Sequence, residues 1–553
     1  MQAHHDARHQ RDETARPDWY LNAVIYEVNV ATFQDSNGDG IGDFRGLTSR
    51  LDYICDLGVD CVWLQPFYAS PKQDNGYDVA DYCSVDAELG SMEDFDAFVR
   101  AAVARGLRVI ADLPLNHTST QHTWFQAARS SRTSPFRSYY IWTDELPANP
   151  SPYPVFGPDK DGNWEWDDVA GQYYFHTFYG FQPDLNLANP RVQEELLGVA
   201  RFWMRRGLHG FRLDAVPFLI HDTSEAEHLE EPHAFLKALR RVVNEERPDG
   251  VLVAEANQKP HEMRRYFGDG DEMQLLLNFY LCNHLFLALA TQRAEPIRRA
   301  WSELPRTPPG TQWANFLRNH DELSLDQLTD EERERVFEAF APKEHMQAFG
   351  RGVRRRLAPM MDGDARRIRQ AYSLLFSLPG TPVVNAGEEL GLGDDLSLPE
   401  REAARTPMQW TGGPGAGFTD APASALERPV IESGPYRAEL VNVERQQRDP
   451  HSLLSFFREA IAAYHRHPPF GGGQWSFLPT EHEGVLAHCM QTAGQRAYAV
   501  HNLTAQPATV RIADVPARLR DCLADDTYGR ALDGTVTVNA YGYRWLIEEE
   551  TNA

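Results

Sequence analysis

Between Asp18 and about Pro468 the chain repeatedly sets a short apolar, β-branched run ahead of a stretch with helical spacing, and each run ends abruptly in polar residues. The runs are Val24 to Val28, Val59 to Leu64, Leu107 to Leu113, Gly210 to Val216, Val251 to Asn257, Leu275 to Tyr280, Ala314 to Asp321 and Pro382 to Glu388. Eight such runs alternating with helices predict a parallel sheet closed as a (β/α)8 TIM barrel over residues 18–117 and 187–468. In the helix predicted over Ser91 to Arg105, Ser91 and Asp94 have capping-box spacing, and Phe95, Phe98, Val99, Ala102 and Val103 recur so that one face covers the sheet. Two intervals break the rhythm, each after a strand's C-terminal end, where catalytic loops of such barrels sit. Residues 118–186, rich in Tyr, Trp, Pro and Asp, predict a subdomain inserted after strand 3, with Trp124, Trp142, Trp164, Trp166 and Tyr173 mostly forming its small core. Residues 322–366 are strongly charged, with Arg351, Arg354, Arg355 and Arg356, and read as a solvated helical excursion. Beyond Phe470 helical periods give way to short alternating stretches, which predict a C-terminal antiparallel β-sandwich over 470–549.

Composition narrows the partners. The 553 residues are 42% hydrophobic and 24% charged, an ordinary globular balance. The 80 acidic residues exceed the 54 Lys and Arg by 26, spread along the chain, so phosphate backbones and anionic membrane surfaces are repelled and nucleic acid is excluded as a partner. No apolar run approaches the length of a membrane span, and the start, which includes His4 and His5, has no signal-peptide pattern; a cytoplasmic enzyme is expected. Cys55, Cys61, Cys83, Cys282, Cys489 and Cys522 show no metal or redox spacing and read as packed thiols. The oligomeric state, homo-oligomer included, stays open.

Three carboxylates stand where apolar runs turn polar. Asp214 follows Gly210-Phe-Arg-Leu, Glu255 follows Val251-Leu-Val-Ala, and Asp321 follows Leu317-Arg-Asn-His. Barrel strands converge on one cup, so acids at several strand ends can act on one substrate. A lone carboxylate there is more often a cap or salt-bridge partner; the register of all three carries the catalytic reading. Two carboxyls about 5–5.5 Å apart can cleave a glycosidic bond with retention, one as nucleophile and the other as acid and then base. Arg212, on the strand face of Asp214, can keep that group ionised, whereas Glu255 would need a raised pKa to act as the acid.

These residues resemble the α-amylase-type glycoside hydrolases and transglycosylases, family 13. Asp112-Leu-Pro-Leu-Asn-His117, Gly210-Phe-Arg-Leu-Asp214, Ala254-Glu-Ala-Asn257 and Asn319-His-Asp321 match its four short regions in order, and Gln182-Pro-Asp-Leu-Asn186 matches a fifth. The resemblance implies Asp214 as nucleophile, Glu255 as general acid/base and Asp321 as a third carboxylate gripping sugar hydroxyls. It implies substrate binding by Asp74, Tyr77, His117, Arg212, His320 and Arg401, the tyrosine offering a stacking face, and a structural role for Arg405. Nearly end to end, including Leu252-Val-Ala-Glu-Ala-Asn-Gln258 and Arg318-Asn-His-Asp-Glu-Leu323, the chain is most similar to the subgroup that interconverts maltose and trehalose. The expected reaction is therefore retaining α-glucosyl transfer with some hydrolysis on a small oligosaccharide. The alternatives are an α-glucosidase using the same carboxylates and, from another class, a non-catalytic amylase-like sugar-binding protein, which should have lost a carboxylate. The chain departs from the subgroup at Lys259 and at Asn385-Ala386, where its relatives tend to carry aromatic residues; these changes bear on the acceptor side.

Asp35-Ser-Asn37-Gly-Asp39-Gly-Ile41-Gly-Asp43 presents oxygen donors at alternate positions. The loop suits calcium, or it satisfies its own backbone through Asx turns. An EF-hand is excluded by Gly46 at the twelfth position. The resemblance favours structural Ca2+ here and implies a second site at Asn116 and Asp184, whose usual third ligand is replaced around Ile220-His-Asp222.

Overall fold

All eight apolar runs become strands of one closed parallel barrel: β1 (Ile25–Val28), β2 (Cys61–Leu64), β3 (Arg108–Leu113), β4 (Gly210–Leu213), β5 (Val251–Ala254), β6 (Leu275–Leu277), β7 (Gln312–Asn315) and β8 (Thr381–Asn385). Each pairs with its neighbours in sequence, and β8 closes on β1 through Ile25 opposite Val383. The strands are short and buried on both faces, which is why they read as continuous apolar runs rather than alternating ones. The computed structural model describes residues 17–147, 162–219 and 230–548, apart from 493, 513, 514, 517, 530 and 533.

Helix α1 (Met92–Ala104) carries the anticipated capping box, Ser91 and Asp94 bonding each other's backbone, and buries Phe95, Phe98, Val99 and Ala102. Val103 falls off that stripe and is 44% exposed, because it lies one residue beyond the apolar arc. The run at Leu275 to Tyr280 is shorter as a strand than its hydrophobicity suggested, since Asn278 caps helix α2 (Phe279–Thr291) and accepts a hydrogen bond from the Leu281 amide. The run at Ala314 to Asp321 also ends early. β7 stops at Asn315, so Asp321 stands on a loop six residues further on rather than at the strand's tip.

Most charged side chains of the excursion at 322–366 are exposed, but the stretch also has a buried, packed face. Helix α3 (Asp330–Phe340) buries Val336, Phe337 and Phe340 and packs over α2, whose residues 279–289 are buried all round. A three-stranded sheet of Leu323–Ser324, Gln347–Ala348 and Gly352–Val353 completes it. Its arginines are engaged: Arg356 is buried against Glu388, Arg355 pairs with Asp394, and Arg354 donates to the Leu398 carbonyl. Charge density in sequence could not reveal partners some forty residues away.

In the interval after β3, a three-stranded antiparallel sheet (Trp142–Thr143, Trp164–Asp167, Gln172–Phe175) packs Trp142 and Tyr174 around Phe125 and Tyr140. Trp124, Trp164 and Tyr173 are half-buried, and Trp166 is exposed, so the subdomain's core uses fewer tryptophans than expected. The C-terminal strands Gln474–Leu478, Val485–Thr492, Gln495–Asn502, Ala508–Arg511, Arg518–Ala524, Ala531–Leu532, Thr535–Val538 and Tyr543–Glu548 form one antiparallel sheet. It curls so that Val510, Val536 and Val538 cover Val485, Ala487, Val500 and Leu546. Its other face, with Leu486, Met490, Ala499 and Trp545, joins the barrel's core. The cysteines form no disulfide; Cys61, Cys282 and Cys489 are packed thiols, whereas Cys83 is exposed. Among the described residues no helix is long and apolar enough to cross a membrane.

Candidate active site

The C-terminal ends of β3, β4 and β5 deliver Asp112, Asp214 and Glu255 to one guanidinium. Arg212, on β4 and fully buried, donates to Asp112 Oδ1 at 2.6 Å, to Asp214 Oδ1 at 2.6 Å, and to Glu255 Oε2. β4 can lie this close to β5 because it begins with glycine: at Gly210 (φ 146°) a Cβ would meet the Val251 carbonyl oxygen at 1.8 Å. Immediately after Asp214 the chain turns through Ala215 in the left-handed region (φ 45°, ψ 41°), a strained conformation for a residue with a Cβ. This turn aims the Ala215 amide at Glu255 Oε2, 3.5 Å away.

The carboxylates differ in environment. Burial pushes Glu255 up to about 7, Arg212 pulling against it and the charges of Asp214 and Asp321 adding to the rise. Burial also acts upward on Asp321, but His320, Arg401 and Arg405 outweigh it and hold that carboxyl well below the usual range. Arg401 Nη1 and Arg405 Nη2 each donate to Asp321 Oδ1 at 2.8 Å, and His320 Nε2 lies 3.3 Å from Oδ2. One group is thus poised to be protonated near neutrality while another stays charged.

The remaining anticipated residues join the same network. Arg401 bridges Asp321 to Asp74, whose other oxygen accepts from Gln182 Nε2 at 2.9 Å. Tyr77 hydroxyl lies 2.6 Å from His320 Nε2 and donates to Asp112 Oδ2 at 3.2 Å. The tyrosine ring gives one face to His320, with centroids 5.5 Å apart and planes 15° apart, so at most its other face is left for a sugar. His117 approaches the Tyr77 carbonyl oxygen at 3.2 Å and packs edge-on against Phe178, which meets Phe218 in turn. Arg405 also donates to the His320 carbonyl and pairs with Glu402.

Sequence reasoning passed over Asp112, Glu27, Gln182 and Glu402 as site residues. Asp112, pushed up to about 6 by burial against the pull of Arg212, stood in a quoted motif without a role. Glu27 carried a signal, as the lone acid inside the apolar strand Ile25-Tyr-Glu-Val28. Asn385 and Ala386 line a cavity of ≈ 20 Å³ beside His320, Arg356 and Arg405. Lys259 is exposed, capping a short helix at Pro260–Met263.

The candidate metal residues stand apart from this network. Asp35 accepts from the Asn37, Gly38 and Gly40 amides, Asn37 Oδ1 from the Asp39 amide, Asp39 Oδ1 from the Ile41 amide, and Asp43 from the Ser36 and Gly46 amides. Successive Asx turns therefore shape the loop. Among the described residues no group of three or more His, Cys, Asp or Glu side chains is gathered as a metal-holding set. Asn116 is fully buried and neither of its side-chain polar atoms has a protein partner; its neighbour His117 bridges Asp184, which accepts from the Thr177 amide. Ile220, His221 and Asp222 lie outside the described residues, as do His4 and His5.

A family profile for the alpha-amylase catalytic domain matches residues 27–470. The trehalose synthase/amylase TreS of Mycobacterium tuberculosis (strain CDC 1551 / Oshkosh) is 44% identical over 506 residues, covering 90% of this chain and 84% of that protein. The trehalose synthase of Pimelobacter sp. (strain R48) is 40% identical, with 96% of each chain covered. Among solved structures, the alpha-glucosyl transfer enzyme XgtA superposes with a TM-score of 0.79 at 28% identity, over 96% of this chain and 99% of that one.

Proposed function

Because the chain belongs to the alpha-amylase family, we propose that its barrel mouth carries out retaining α-glucosyl transfer, interconverting maltose and trehalose by double displacement. The observation that carries the chemistry is the single guanidinium of Arg212 gripping both Asp214 and Glu255. Two carboxyls hydrogen-bonded to one guanidinium are close neighbours, which supports a retaining pair, whose carboxyls lie about 5–5.5 Å apart, over an inverting pair at roughly 6.5–9.5 Å. The choice of maltose and trehalose is supported by relatives at 40–44% identity named trehalose synthase.

In the first step Asp214 attacks C1 of the non-reducing glucose of maltose, and Glu255 passes its proton to the departing O4. The C1–O4 bond breaks as an ester to Asp214 forms. The freed glucose reorients and offers its anomeric hydroxyl; Glu255, now ionised, takes that proton while the oxygen attacks C1 and releases Asp214. Two inversions give net retention and an α,α-1,1 link. A pKa near 7 suits a group that must donate and then accept at neutral pH. Asp321 is the third carboxylate, held ionised to grip sugar hydroxyls and favour the positive charge that develops at C1. Arg401, tying Asp74 to Asp321, closes the far end, so one terminal glucosyl unit enters a pocket rather than a chain passing through a groove. His117, Tyr77, Arg212 and His320 line that pocket. Water that enters while glucose turns produces hydrolysis, which is the α-glucosidase reaction as a leak.

Calcium is proposed for the Asp35–Asp43 loop, supported by its all-oxygen set of Asp35, Asn37, Asp39, the Ile41 carbonyl and Asp43. At Asn116 and Asp184 the support is the buried, unpartnered amide of Asn116. Either ion would be structural and takes no part in the steps above. A cytoplasmic location is proposed from the reduced cysteines, Cys83 exposed among them.

The test is to follow purified protein with maltose by proton NMR. Trehalose as the main product is expected; glucose alone would move the chain to the α-glucosidases.

A further inference from the structure

We propose that Glu27, on β1 and outside the sugar pocket, is a positioning residue that holds His320 as an imidazolium in fixed orientation, so that its Nε2–H is always a donor toward the pocket. The inference rests on the glucosyl-transfer reading of the site and explains how one of its binding groups keeps its charge.

The Ala31 backbone amide donates to Asn29 Oδ1 at 2.9 Å, which fixes that side-chain amide: its Nδ2 must donate, and does so to Gln65 Oε1 at 2.9 Å. Gln65 Nε2 is then left as the donor to Glu27 Oε1 at 3.1 Å. The same oxygen meets His320 Nδ1. Glu27 is fully buried, and its Oε2 has no protein partner. A proton on Oε2 would have no acceptor in the protein, so a single proton lies between Oε1 and Nδ1; the negative charge of Asp321, 3.3 Å from Nε2, draws it to the ring and leaves Glu27 a carboxylate. A buried carboxylate demands a cation, and the one in contact is His320.

The opposite edge of the ring gives the same answer. Tyr77 hydroxyl donates to Asp112 Oδ2, which already accepts from Trp63 Nε1, so the tyrosine oxygen accepts from His320 Nε2 at 2.6 Å. Both ring nitrogens donate, which only an imidazolium can do. The charged and titratable groups around the ring are Glu27 from β1, Tyr77 from the loop after β2, Asp112 from β3, Glu255 from β5, its neighbour Asp321, and Arg405 from the loop after β8. Burial and Arg405 act against protonation, while Asp321 and Glu27 outweigh them and raise His320. Without Glu27, Asp321 alone must hold the proton, and Asp321 already shares its charge with Arg401 and Arg405.

The experiment begins with the wild-type chain carrying 15N-histidine. The His320 ring, assigned by difference with His320→Asn, is expected to show both nitrogens protonated at pH 7.5; a neutral ring overturns the proposal whatever any variant does. Glu27→Gln keeps the shape and an acceptor for Nδ1 but removes the charge. It is expected to lower kcat/KM for maltose at least tenfold at pH 7.5, with a smaller loss at pH 5.5, where the imidazole is protonated unaided. In a His320→Asn background the same change should cost less than twofold. An equal loss at every pH, or a full tenfold loss without His320, would show a packing role only. Should wild type hydrolyse maltose rather than isomerise it, the reaction assignment fails, while the ring's protonation and its dependence on Glu27 still decide this inference.

Discussion

Replacing Arg212 with glutamine separates the electrostatic from the geometric part of the site. The guanidinium is fully buried and donates to Asp112, Asp214 and Glu255. Removing one partner of such a buried pair leaves uncompensated charge and costs about 3–5 kcal/mol. Part of that cost is relieved by proton uptake, since Asp112 stands at about 6 and Glu255 at about 7 even with the cation present. The sign for Glu255 follows directly: Arg212 opposes the rise caused by burial, so its loss raises the carboxyl further. An opposite charge within about 4–6 Å is worth about 1–3 pKa units to a carboxyl, so the alkaline limb of kcat/KM should move from near pH 7 to roughly pH 8–10. The assay is the pH dependence of kcat/KM for a p-nitrophenyl α-glucoside, with circular dichroism confirming the fold at each pH. Arg212→Lys, which keeps the charge but not the fork, should lose kcat while its limb stays within about one unit of wild type. An alkaline limb in Arg212→Gln that stays put or moves to lower pH would refute the assignment of Glu255 as the acid that Arg212 restrains.

Asp214→Asn should abolish turnover by roughly a thousandfold or more with an unchanged melting curve, measured on maltose and on the aryl glucoside; retained activity would remove the nucleophile. Arg401→Ala frees Asp74 and Asp321 from their shared cation and opens the pocket's far end, so KM for maltose should rise and longer maltodextrins should become substrates, read by product chromatography. Chelation by EDTA should lower the melting temperature, with calcium restoring it; an unchanged curve in both directions would leave the Asp35–Asp43 loop as self-satisfied Asx turns. Acid should loosen the sheet from the barrel through His488 and His501, which are buried neutral and donate to or accept from Ser377 and Ser373. Burial lowers His488 to about 4 and holds His501 well below its ordinary value, so their stabilisation is complete above about pH 6.5 and fades as pH falls toward 4. For His488 alone this amounts to about 3 kcal/mol, so His488→Gln should flatten the pH dependence of urea unfolding between pH 6.5 and 4.

The barrel was legible because its strands are buried on both faces, and a strand such as Val251 to Ala254 has no polar position to blur it. Where boundaries failed, local hydrogen bonding had intervened: Asn278 ends β6 by capping the following helix, and β7 gives way to a loop that holds Asp321 through arginines some eighty residues downstream. That same long reach hid the excursion's arginines, whose partners Glu388 and Asp394 are set by tertiary packing. The acids and their nearest cations could be read locally, since Arg212 and Asp214 are two residues apart on one strand. Glu27 could not, because its meaning depends on His320, 293 positions away.

The site's design follows from this distribution of charge. Asp74, Asp112, Asp214, Glu255 and Asp321 crowd one barrel mouth, and left alone they would disfavour one another's ionisation and take up protons from solvent. Arg212 binds the three that end β3, β4 and β5, while Arg401, Arg405 and His320 bind Asp321 and Asp74 on the opposite side. Burial raises both Asp112, to about 6, and Glu255, to about 7, against the pull of the same Arg212, and of the two Glu255, flanked by Asp214 and Asp321, stands nearer neutrality. Asp321 is held ionised by three cations, whereas Glu255, the group that must exchange a proton twice per turnover, shares its one contacting cation with two other acids. Asn385 and Ala386 line the same small cavity as His320, so their first effect is predicted on how firmly that ring is seated. Restoring a bulky side chain at Ala386 should then shift the pH profile through His320 before it shifts the ratio of trehalose to glucose, an order of effects that an acceptor-wall residue would reverse.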